Sequence, residues 1–392
     1  MTIYKEKFSI VKPIVLGIVG GGQLGKMLAM EAKRMHISVI VLDPLPDCPA
    51  SVIADKVIVG NFSDEQKIYD LSKEADIITY EIELANTTAL NNLVKNGFPV
   101  HPSPATLHII QNKYRQKKFL KENGINVPKF DLITSENHLR NICLEYGLPI
   151  MLKACENSYD GRGNYLIKNE DQIKPAFTHF KGKQCMVEEF INFKQEISIM
   201  VARNPSGEVS PFPVSENIHK ENILDLTIVP ARISKDIETK ANMLAIKTIE
   251  SLKGSGIFGI EMFVDQNDNV LINEIAPRPH NSGHYTIEAC SVSQFEQHIR
   301  AIMDYPLPQP FLLSNAVMIN LLGPDKIKGE YEIFGIGELF SLEGIKIHIY
   351  GKKVTNHHRK LGHITALLKN NNPIEVSNKI KQLIKIKEVK VR

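Results

Sequence analysis

Residues 14–35 read IVLGIVGGGQLGKMLAMEAKRM and contain the pattern that decides the fold. An apolar run predicts a β-strand, a cluster of glycines follows, and the remainder has the apolar spacing of a helix. Gly20, Gly22 and Gly25 form a GxGxxG spacing between the strand and the helix. Glycines at such a turn let backbone N–H groups and the helix N-terminus approach a phosphate. The stretch therefore predicts a strand, a phosphate-type loop and a helix in succession.

The residues that follow continue the alternation of strand and helix. SVIVLD (residues 38–43) and ADIITYEIE (residues 75–83) predict strands, and EQKIYDLSKE between them predicts a helix. Alternation of this kind indicates a parallel, doubly wound sheet. A Rossmann domain that binds NAD is one interpretation, in which Asp43 would hold the ribose hydroxyls. Close packing of strand against helix is another, and no later segment is typical of a dehydrogenase active site.

The pattern changes twice further along the chain. HPSPATLHIIQNK interrupts the alternation, and apolar segments such as LPIMLKA, QCMVEEFI and GIFGIEMFVD then predict an α+β domain with antiparallel sheets. After YPLPQP, short strands such as KIHIYGK predict a smaller third unit. Because a chain of 392 residues is too long for one core, we predict three domains at residues 1–111, 112–310 and 311–392.

Composition disfavours several classes of protein. An apolar fraction of 43% is ordinary for a globular fold, and a net charge of +3 without a dense Lys/Arg tract does not favour a nucleic-acid partner. No apolar run has the length of a membrane span, and the opening MTIYKEKFSIVKP lacks the apolar core of a signal peptide. Five scattered cysteines without a CxxC favour neither disulfides nor zinc. We expect a cytoplasmic protein with neither a nucleic-acid nor a membrane partner.

The segment GIEMFVDQNDNVLINEI predicts a hairpin that places two carboxylates opposite each other. A four-residue tip at 266–269 predicts three facing pairs: Asp265 with Val270, Phe263 with Ile272, and Glu261 with Glu274. Facing Cβ atoms lie roughly 5 Å apart, so the repulsion of two carboxylates must be offset. Their oxygen atoms suit Mg²⁺, and Asn273 either adds an oxygen or points away. A shared proton, or a register different by one residue, is the alternative.

Other residues fit a nucleotide. Lys153 lies in the apolar segment LPIMLKA, where an unpaired ammonium is costly to bury and a phosphate would be one suitable partner. Glu188, Glu189 and Glu196 offer backbone and carboxylate acceptors for an adenine and a ribose, although each taken singly is typical of a solvated surface. The segment NSYDGRGN is typical of a hairpin turn, and a loop that closes on substrate is the alternative.

Taken together, the motifs resemble one enzyme family over essentially the whole chain. GGGQLGKM, TYEIE, YDGRGN, INEIAPRPHNSGHYT and RKLGH, in this order, are similar to the 5-(carboxyamino)imidazole ribonucleotide synthases, ATP-grasp ligases of purine biosynthesis. The resemblance implies a Rossmann-like domain that binds no dinucleotide, a central ATP-grasp domain, a small C-terminal domain and a homodimer. It implies that ATP, bicarbonate and 5-aminoimidazole ribonucleotide give the N-carboxylated ribonucleotide, ADP and phosphate.

The resemblance also implies roles for individual residues on the ATP side. Glu261 and Glu274 would hold Mg²⁺. Arg278 and His280 would flank bicarbonate and the carboxyphosphate made from it, with Arg278 neutralising charge and His280 acting as a base. The residues implied to bind ATP are Lys113, Lys153, Glu188, Glu189, Phe190, Ile191, Glu196, His219, Asn273 and Glu274. The residues implied to cover the reacting groups are Tyr159, Asp160 and Arg162.

On the ribonucleotide side the resemblance implies a site between domains. Glu81 would accept a hydrogen bond from the ribose or base, and Glu83, on the same strand face, is the alternative. The residues implied to contact the rest of this substrate are Gly22, Gln23, Leu24, Lys352 and Arg359. Two segments depart from the family pattern: CENSYDGRG is less glycine-rich, and NHHRKLGH lacks the Pro and Gly of RPGRKxGH and is one residue longer.

Two other functions remain open from the sequence. An ATP-grasp formyltransferase would differ in its acceptor pocket and would depend on formate rather than bicarbonate. A nucleotide-binding regulator without activity is the other, and the presence of Lys153, Glu261, Glu274 and His280 argues against it.

Overall fold

The N-terminal part of the protein is an α/β unit. The structure is a computed structural model and describes residues 10–156 and 163–389. The first elements in chain order are β1 (Val15–Val19), α1 (Gln23–Arg34), β2 (Ser38–Asp43), β3 (Lys56–Val59), α2 (Glu65–Glu74), β4 (Ile77–Tyr80), α3 (Thr87–Lys95) and α4 (Pro104–Ile110). A 3₁₀ turn at Pro49–Val52 lies between β2 and β3.

This unit is the predicted doubly wound sheet. Its strands are parallel, in the order β3-β2-β1-β4. Successive side chains of β1 point to opposite faces, and each face has its own core. Leu16 and Ile18 pack with residues of α1, whereas Val19 packs with residues of α2 and α3. The apolar character of the strands on both faces therefore follows from burial on both sides.

The central part is longer and mostly antiparallel. Its elements are α5 (Lys113–Glu122), β5 (Phe130–Ile133), α6 (Glu136–Tyr146), β6 (Ile150–Ala154), β7 (Asn164–Ile167), α7 (Ile173–His179), β8 (Cys185–Glu189), β9 (Phe193–Arg203), β10 (Val209–Pro211), β11 (Ser215–Lys220), β12 (Ile223–Val229), α8 (Lys235–Leu252), β13 (Gly256–Asp265), β14 (Val270–Ala276), α9 (Thr286–Ala289) and α10 (Gln294–Ile302). Short 3₁₀ turns occur at Glu170–Gln172 and Asn281–Gly283.

The C-terminal segment extends the central sheet. Its elements are β15 (Asn315–Leu322), β16 (Gly329–Phe334), α11 (Ile336–Phe340), β17 (Ile345–Ile349), β18 (Val354–Thr355), β19 (Lys360–Leu368), α12 (Pro373–Leu383) and β20 (Lys385–Glu388). Strand β15 pairs with β12, so strands of the central part and of the C-terminal segment belong to one sheet. The order of its strands is β14-β13-β9-β11-β12-β15-β19-β17, with β10 beside β9. Smaller sheets have the orders β5-β8-β6-β7 and β18-β16-β20. Strand patterns predicted the C-terminal strands as a smaller unit but did not reveal this shared sheet.

The β13–β14 hairpin has a register that the sequence predicted only in part. Glu261 is opposite Glu274, as predicted, but Met262 is opposite Ile272 and Val264 is opposite Val270. The predicted pairs Phe263 with Ile272 and Asp265 with Val270 are therefore wrong. The tip is one residue shorter than expected, since Asp265 N–H donates to the Asn269 carbonyl and Asp268 adopts a left-handed φ of 62°. A β-bulge then restores the carboxylate pair.

Candidate active site

One large cavity lies where the three parts of the chain meet. Its volume is about 1660 Å³, which exceeds the range of roughly 300–1,000 Å³ typical of a single small-molecule pocket. Every predicted site residue that the structure describes lines it: Gly22, Gln23, Leu24, Glu81, Lys113, Lys153, Glu188, Glu189, Phe190, Ile191, Glu196, His219, Glu261, Asn273, Glu274, Arg278, His280, Lys352 and Arg359. Tyr159, Asp160 and Arg162 lie outside the described residues.

Helix α5 brings lysines to one end of the cavity. Asn112 caps its N-terminus by accepting from Arg115 N–H at 2.9 Å. Lys113, in the first turn, reaches Glu274 with an Nζ–Oε1 distance of 2.6 Å. Lys117, one turn later, reaches Glu188 at 2.5 Å. The capped helix therefore points two ammonium groups at the carboxylates of two different strands.

The Glu188 carboxylate forms ion pairs within the protein. Its side chain is only 2% exposed and pairs with both Lys117 and Lys153. Burial opposes its ionisation, but the two ammonium groups outweigh burial and lower its pKa. Lys153 thus has a carboxylate partner in addition to any phosphate, which the strand pattern alone did not reveal. The Glu188 backbone is also inside a sheet, since β8 pairs with β5 on one side and β6 on the other.

The wall of this end contains a second charged pair. His219 Nδ1 lies 2.7 Å from Glu196 Oε2. Burial would lower the pKa of His219, but the Glu196 carboxylate outweighs it and the pKa is raised. The two side chains lie on adjacent strands, since β11 pairs with β9. Sequence separation hid this contact, although both residues were predicted at the nucleotide site.

The facing carboxylates of the hairpin have opposite electrostatic environments. Burial, followed by repulsion from Glu274, raises the pKa of Glu261 to about 7 despite the attraction of His219. Burial acts in the same direction on Glu274, but the Lys113 ammonium outweighs it and lowers the pKa. The bulge also leaves Asn273 and Glu274 both lining the cavity. These oxygen atoms are of the kind that Mg²⁺ prefers. The raised pKa of Glu261 shows that the nearby positive charges do not offset the cost of burying its carboxylate.

Arg278 and His280 follow β14 into the cavity. Arg278 Nη2 lies 2.8 Å from Glu83 Oε1, and Arg278 Nε is buried with no hydrogen-bond partner within the described part of the chain. The buried Gln294 side chain holds His280 by accepting from its N–H and donating to its carbonyl, both at 2.8 Å. Burial and the nearby Arg278 shift the pKa of His280 well below its ordinary value. The imidazole is therefore neutral at pH 7, and the same shift makes it a weaker base than a solvated histidine.

The glycine loop has its N–H groups engaged by carboxylates. Glu81 accepts from Gly22 and Gly25, the latter at 2.7 Å, and Asp43 accepts from Gly21 at 2.9 Å. Burial raises the pKa of Glu81 to about 7 even though these N–H groups lower it. The positions that the phosphate and ribose of NAD would need are taken by the chain's own side chains. The structure therefore does not support the dinucleotide interpretation.

Glu81 and Glu83, the two glutamates considered for substrate binding, have different contacts. Glu81 caps the loop, whereas Glu83 anchors Arg278. Opposite them, the C-terminal segment contributes Lys352 and Arg359 to the cavity. Arg359 Nη1 donates to the Val354 carbonyl at 2.9 Å. Two cations from the C-terminal segment therefore line the same cavity as the glycine loop.

Sequence reasoning missed several residues of the site. Lys117 is one; it follows Lys113 by four residues and therefore lies on the same face of α5, which was a usable signal. Gln116 is another, and its amide pairs with the Ile275 backbone at 3.1 and 3.3 Å. Phe193 and Phe263 also line the cavity, stacked with centroids 4.9 Å apart. No local pattern indicated this stack because it forms between two paired strands.

Family models match three stretches of the chain. The ATP-grasp domain matches residues 118–295, the ribonucleotide synthetase preATP-grasp domain matches residues 14–111, and the phosphoribosylaminoimidazole carboxylase C-terminal domain matches residues 316–376. Together they account for all three parts of the fold described above.

Individual proteins are similar over nearly the whole chain. The N5-carboxyaminoimidazole ribonucleotide synthase of Bacillus subtilis is 42% identical over 90% of this chain and 91% of its own. The crystal structure of the Thermotoga maritima synthetase has a TM-score of 0.87 at 45% identity, covering 95% and 99% of the two chains. An Aspergillus clavatus synthase solved with ADP and 5-aminoimidazole ribonucleotide has a TM-score of 0.86 at 33% identity, covering 95% and 97%.

Proposed function

Since the chain belongs to the N5-carboxyaminoimidazole ribonucleotide synthase family of ATP-grasp enzymes, we propose that it joins bicarbonate to 5-aminoimidazole ribonucleotide at the expense of ATP. The products are the N-carboxylated ribonucleotide, ADP and phosphate, a step of purine biosynthesis. The observation that supports this most strongly is the single cavity. Its lining includes Lys113 and Lys153, the glycine loop with Lys352 and Arg359, and Arg278, whose charge interacts with both Glu81 and Glu274.

The size and polarity of the cavity fit two organic substrates. ATP is proposed to occupy the end lined by Lys113, Lys153, the 188–191 segment, Glu196 and His219. The ribonucleotide is proposed to occupy the end lined by the glycine loop, Lys352 and Arg359. A volume of about 1660 Å³ leaves space for both together with bicarbonate.

Arg278 and His280 are proposed to act on bicarbonate and on the carboxyphosphate made from it. Bicarbonate is a poor electrophile, and its phosphorylation gives a mixed anhydride that releases CO₂ beside the substrate amine. Arg278, held by Glu83, would neutralise the anionic intermediate with its unpaired Nε. The neutral His280 would remove the proton that the amine loses as its new C–N bond forms. Carboxyphosphate is hydrolysed by water, so the reacting groups need to be shielded from solvent. The residues predicted to cover them are Tyr159, Asp160 and Arg162, and this stays a prediction.

Glu261 and Glu274 are the residues proposed to hold Mg²⁺, with Asn273 beside them. When bound, the ion would stabilise charge on the phosphoryl group that is transferred. We predict that Glu274→Gln abolishes ADP formation and weakens the apparent affinity for Mg²⁺ by at least tenfold, because one ligand loses its charge. Glu145→Gln, at an exposed position outside the cavity, is the matched control. Near-normal turnover of the Glu274 variant would rule out the metal role.

The activity is tested by measuring ADP with Mg²⁺, bicarbonate and 5-aminoimidazole ribonucleotide, omitting each in turn. Turnover is expected to require all three, and the carboxylated product should form in equal amount to ADP. ADP formation that is unaffected by omitting the ribonucleotide, with no carboxylated product, would refute the proposal. Replacing bicarbonate by formate tests the formyltransferase alternative directly.

The proposal extends to assembly and location. None of the helices in the part of the chain that the structure describes has the length and apolar character that a bilayer crossing requires. A cytoplasmic location is proposed because all five cysteines are buried free thiols, which suits a reducing compartment. A homodimer is proposed from the family resemblance, and Phe311 and Leu313, 60% and 63% exposed, offer apolar surface for it. Light scattering coupled to gel filtration would test the dimer.

A further inference from the structure

Two adjacent histidines and a glutamate converge at the mouth of the cavity. His357 and His358 lie in the loop between β18 and β19, and Glu221 lies in the turn between β11 and β12. One ligand atom from each residue lies within 4.8 Å of the others. Glu221 and His358 also line the cavity, and Arg359 follows directly. The cluster therefore joins two segments that are far apart in the sequence.

Both segments that carry the cluster contain residues with left-handed backbone conformations. Glu221 and Asn222 adopt left-handed φ values of 52° and 63° at the hairpin turn, and His358 adopts 61° in its loop. His358 Nε2 lies 3.1 Å from Glu221 Oε2. The rings of His357 and His358 have centroids 3.5 Å apart. Consecutive side chains thus point to one place instead of alternating.

A fourth residue orients one of the imidazoles. His357 Nδ1 lies 2.7 Å from Asp325 Oδ1. When Nδ1 donates its proton to this carboxylate, the other ring nitrogen of His357 carries a lone pair. A carboxylate that holds the far nitrogen of a histidine is the usual support of a metal-binding imidazole. The His357 side chain is itself about half exposed.

We propose that Glu221, His357 and His358 bind a divalent transition-metal ion of the Zn²⁺ class. Two imidazoles and one carboxylate suit Zn²⁺, Ni²⁺ or Cu²⁺, whereas Mg²⁺ prefers oxygen ligands throughout. The site is separate in residues and in chemistry from the Glu261 and Glu274 pair. The histidines stand in NHHRKLGH, one of the two segments where the chain departs from the family pattern.

Metal binding at this place would fasten the C-terminal loop to the turn of the central sheet. Any ligand that binds the folded chain in preference to the unfolded chain raises the apparent stability. A bound cation would also add positive charge beside Arg359 at the entrance of the cavity. Thermal stability is therefore a readout of the site that does not depend on turnover.

The test titrates metal-free full-length protein with Zn²⁺ in competition with a chromogenic chelator. Three variants are compared with the wild type: Glu221→Gln, His357→Ala and His358→Ala. The matched control is His179→Ala, which removes an exposed histidine outside the cavity. We expect each of the three to lose one equivalent of Zn²⁺ or to bind it at least tenfold more weakly, while the control binds like the wild type.

Thermal unfolding of the same proteins completes the test. Without metal the variants should unfold at the wild-type temperature, which shows that they fold. With Zn²⁺ the melting temperature should rise in the wild type and the control, and less in the three variants. Excess Mg²⁺ should leave the Zn²⁺ affinity unchanged. Equal Zn²⁺ stoichiometry and affinity in all five proteins, or displacement by Mg²⁺ at comparable concentration, would overturn the proposal.

Discussion

Single residues in this cavity act largely through the charges beside them. Glu188 stays ionised while buried because two lysines face it. Burial and Glu274 oppose the charge of Glu261 and raise its pKa to about 7, so that this carboxyl is only partly ionised at pH 7. Glu83 and Glu81 are two residues apart on one strand end, yet one anchors an arginine and the other caps a helix. The role of each carboxylate is therefore set by its neighbours in space.

The Glu83–Arg278 ion pair leads to a prediction about bicarbonate. Glu83→Gln removes the charge that positions Arg278, so the guanidinium should lose its fixed direction. We expect kcat/KM for bicarbonate to fall about tenfold, the equivalent of ~1.4 kcal/mol, with a smaller effect on the KM for ATP. Steady-state ADP release checks this, with Glu145→Gln as the control. An equal loss for all substrates would contradict a role confined to Arg278.

The raised pKa of Glu261 predicts a pH-dependent stability difference. The folded pKa of about 7 lies above the ordinary value of 4.5, so the stabilisation by protonated Glu261 is present below pH 4.5 and is lost as pH rises through 7. Gln stays neutral. Without Mg²⁺, the free energy of unfolding of Glu261→Gln relative to wild type should rise by ~1–3 kcal/mol between pH 4.5 and 8. Urea denaturation measures it, and a pH-independent difference would show that Glu261 ionises normally.

Secondary-structure elements set the directions of these side chains. The bulge in the β13–β14 hairpin leaves Asn273 and Glu274 both lining the cavity. The capped helix α5 aims Lys113 at Glu274 and Lys117 at Glu188. Helix α1 begins against the glycine loop, where Glu81 accepts hydrogen bonds from two of its first N–H groups. A carboxylate at this end also compensates the helix dipole.

Close packing at the start of α1 predicts the effect of a methyl group. A Cβ at Gly25 would lie 2.5 Å from the Gly20 carbonyl oxygen, whereas one at Gly337, in α11, would meet nothing within 4 Å. Gly25→Ala should therefore lower the free energy of unfolding by ~1–3 kcal/mol. Gly337→Ala should leave it unchanged or raise it slightly. Chemical denaturation of both variants checks this, and equal effects would contradict the close approach.

At the scale of the whole molecule, the C-terminal segment completes a core. Leu226 and Ile228 of β12 share a buried cluster with Val317 and Ile319 of β15 and with Ile364 of β19. The same segment supplies Lys352 and Arg359 to the cavity. Fold and site therefore both depend on residues beyond 310.

Removing that segment should abolish folding as well as activity. A chain that ends at residue 310 would leave β12 as an exposed apolar edge, which favours aggregation. We expect insoluble protein without ADP formation, measured by the soluble fraction and by circular dichroism. A soluble fragment that unfolds at the full-length temperature would show that the central part is independent.

The sequence by itself predicted the alternating N-terminal strands and helices, the antiparallel central strands and the cavity residues carried by motifs such as INEIAPRPHNSGHYT. The strands and helices follow from apolar periodicity, which is a local property of the chain, whereas the cavity residues follow from the resemblance of those motifs to one enzyme family. Only the tertiary structure decided that Glu188 holds two lysines, that Glu83 and not Glu81 anchors Arg278, and that β15 joins the central sheet. It also placed the bulge that keeps Glu261 opposite Glu274. These depend on contacts between residues distant in sequence, where packing and charge in three dimensions choose among several locally acceptable arrangements.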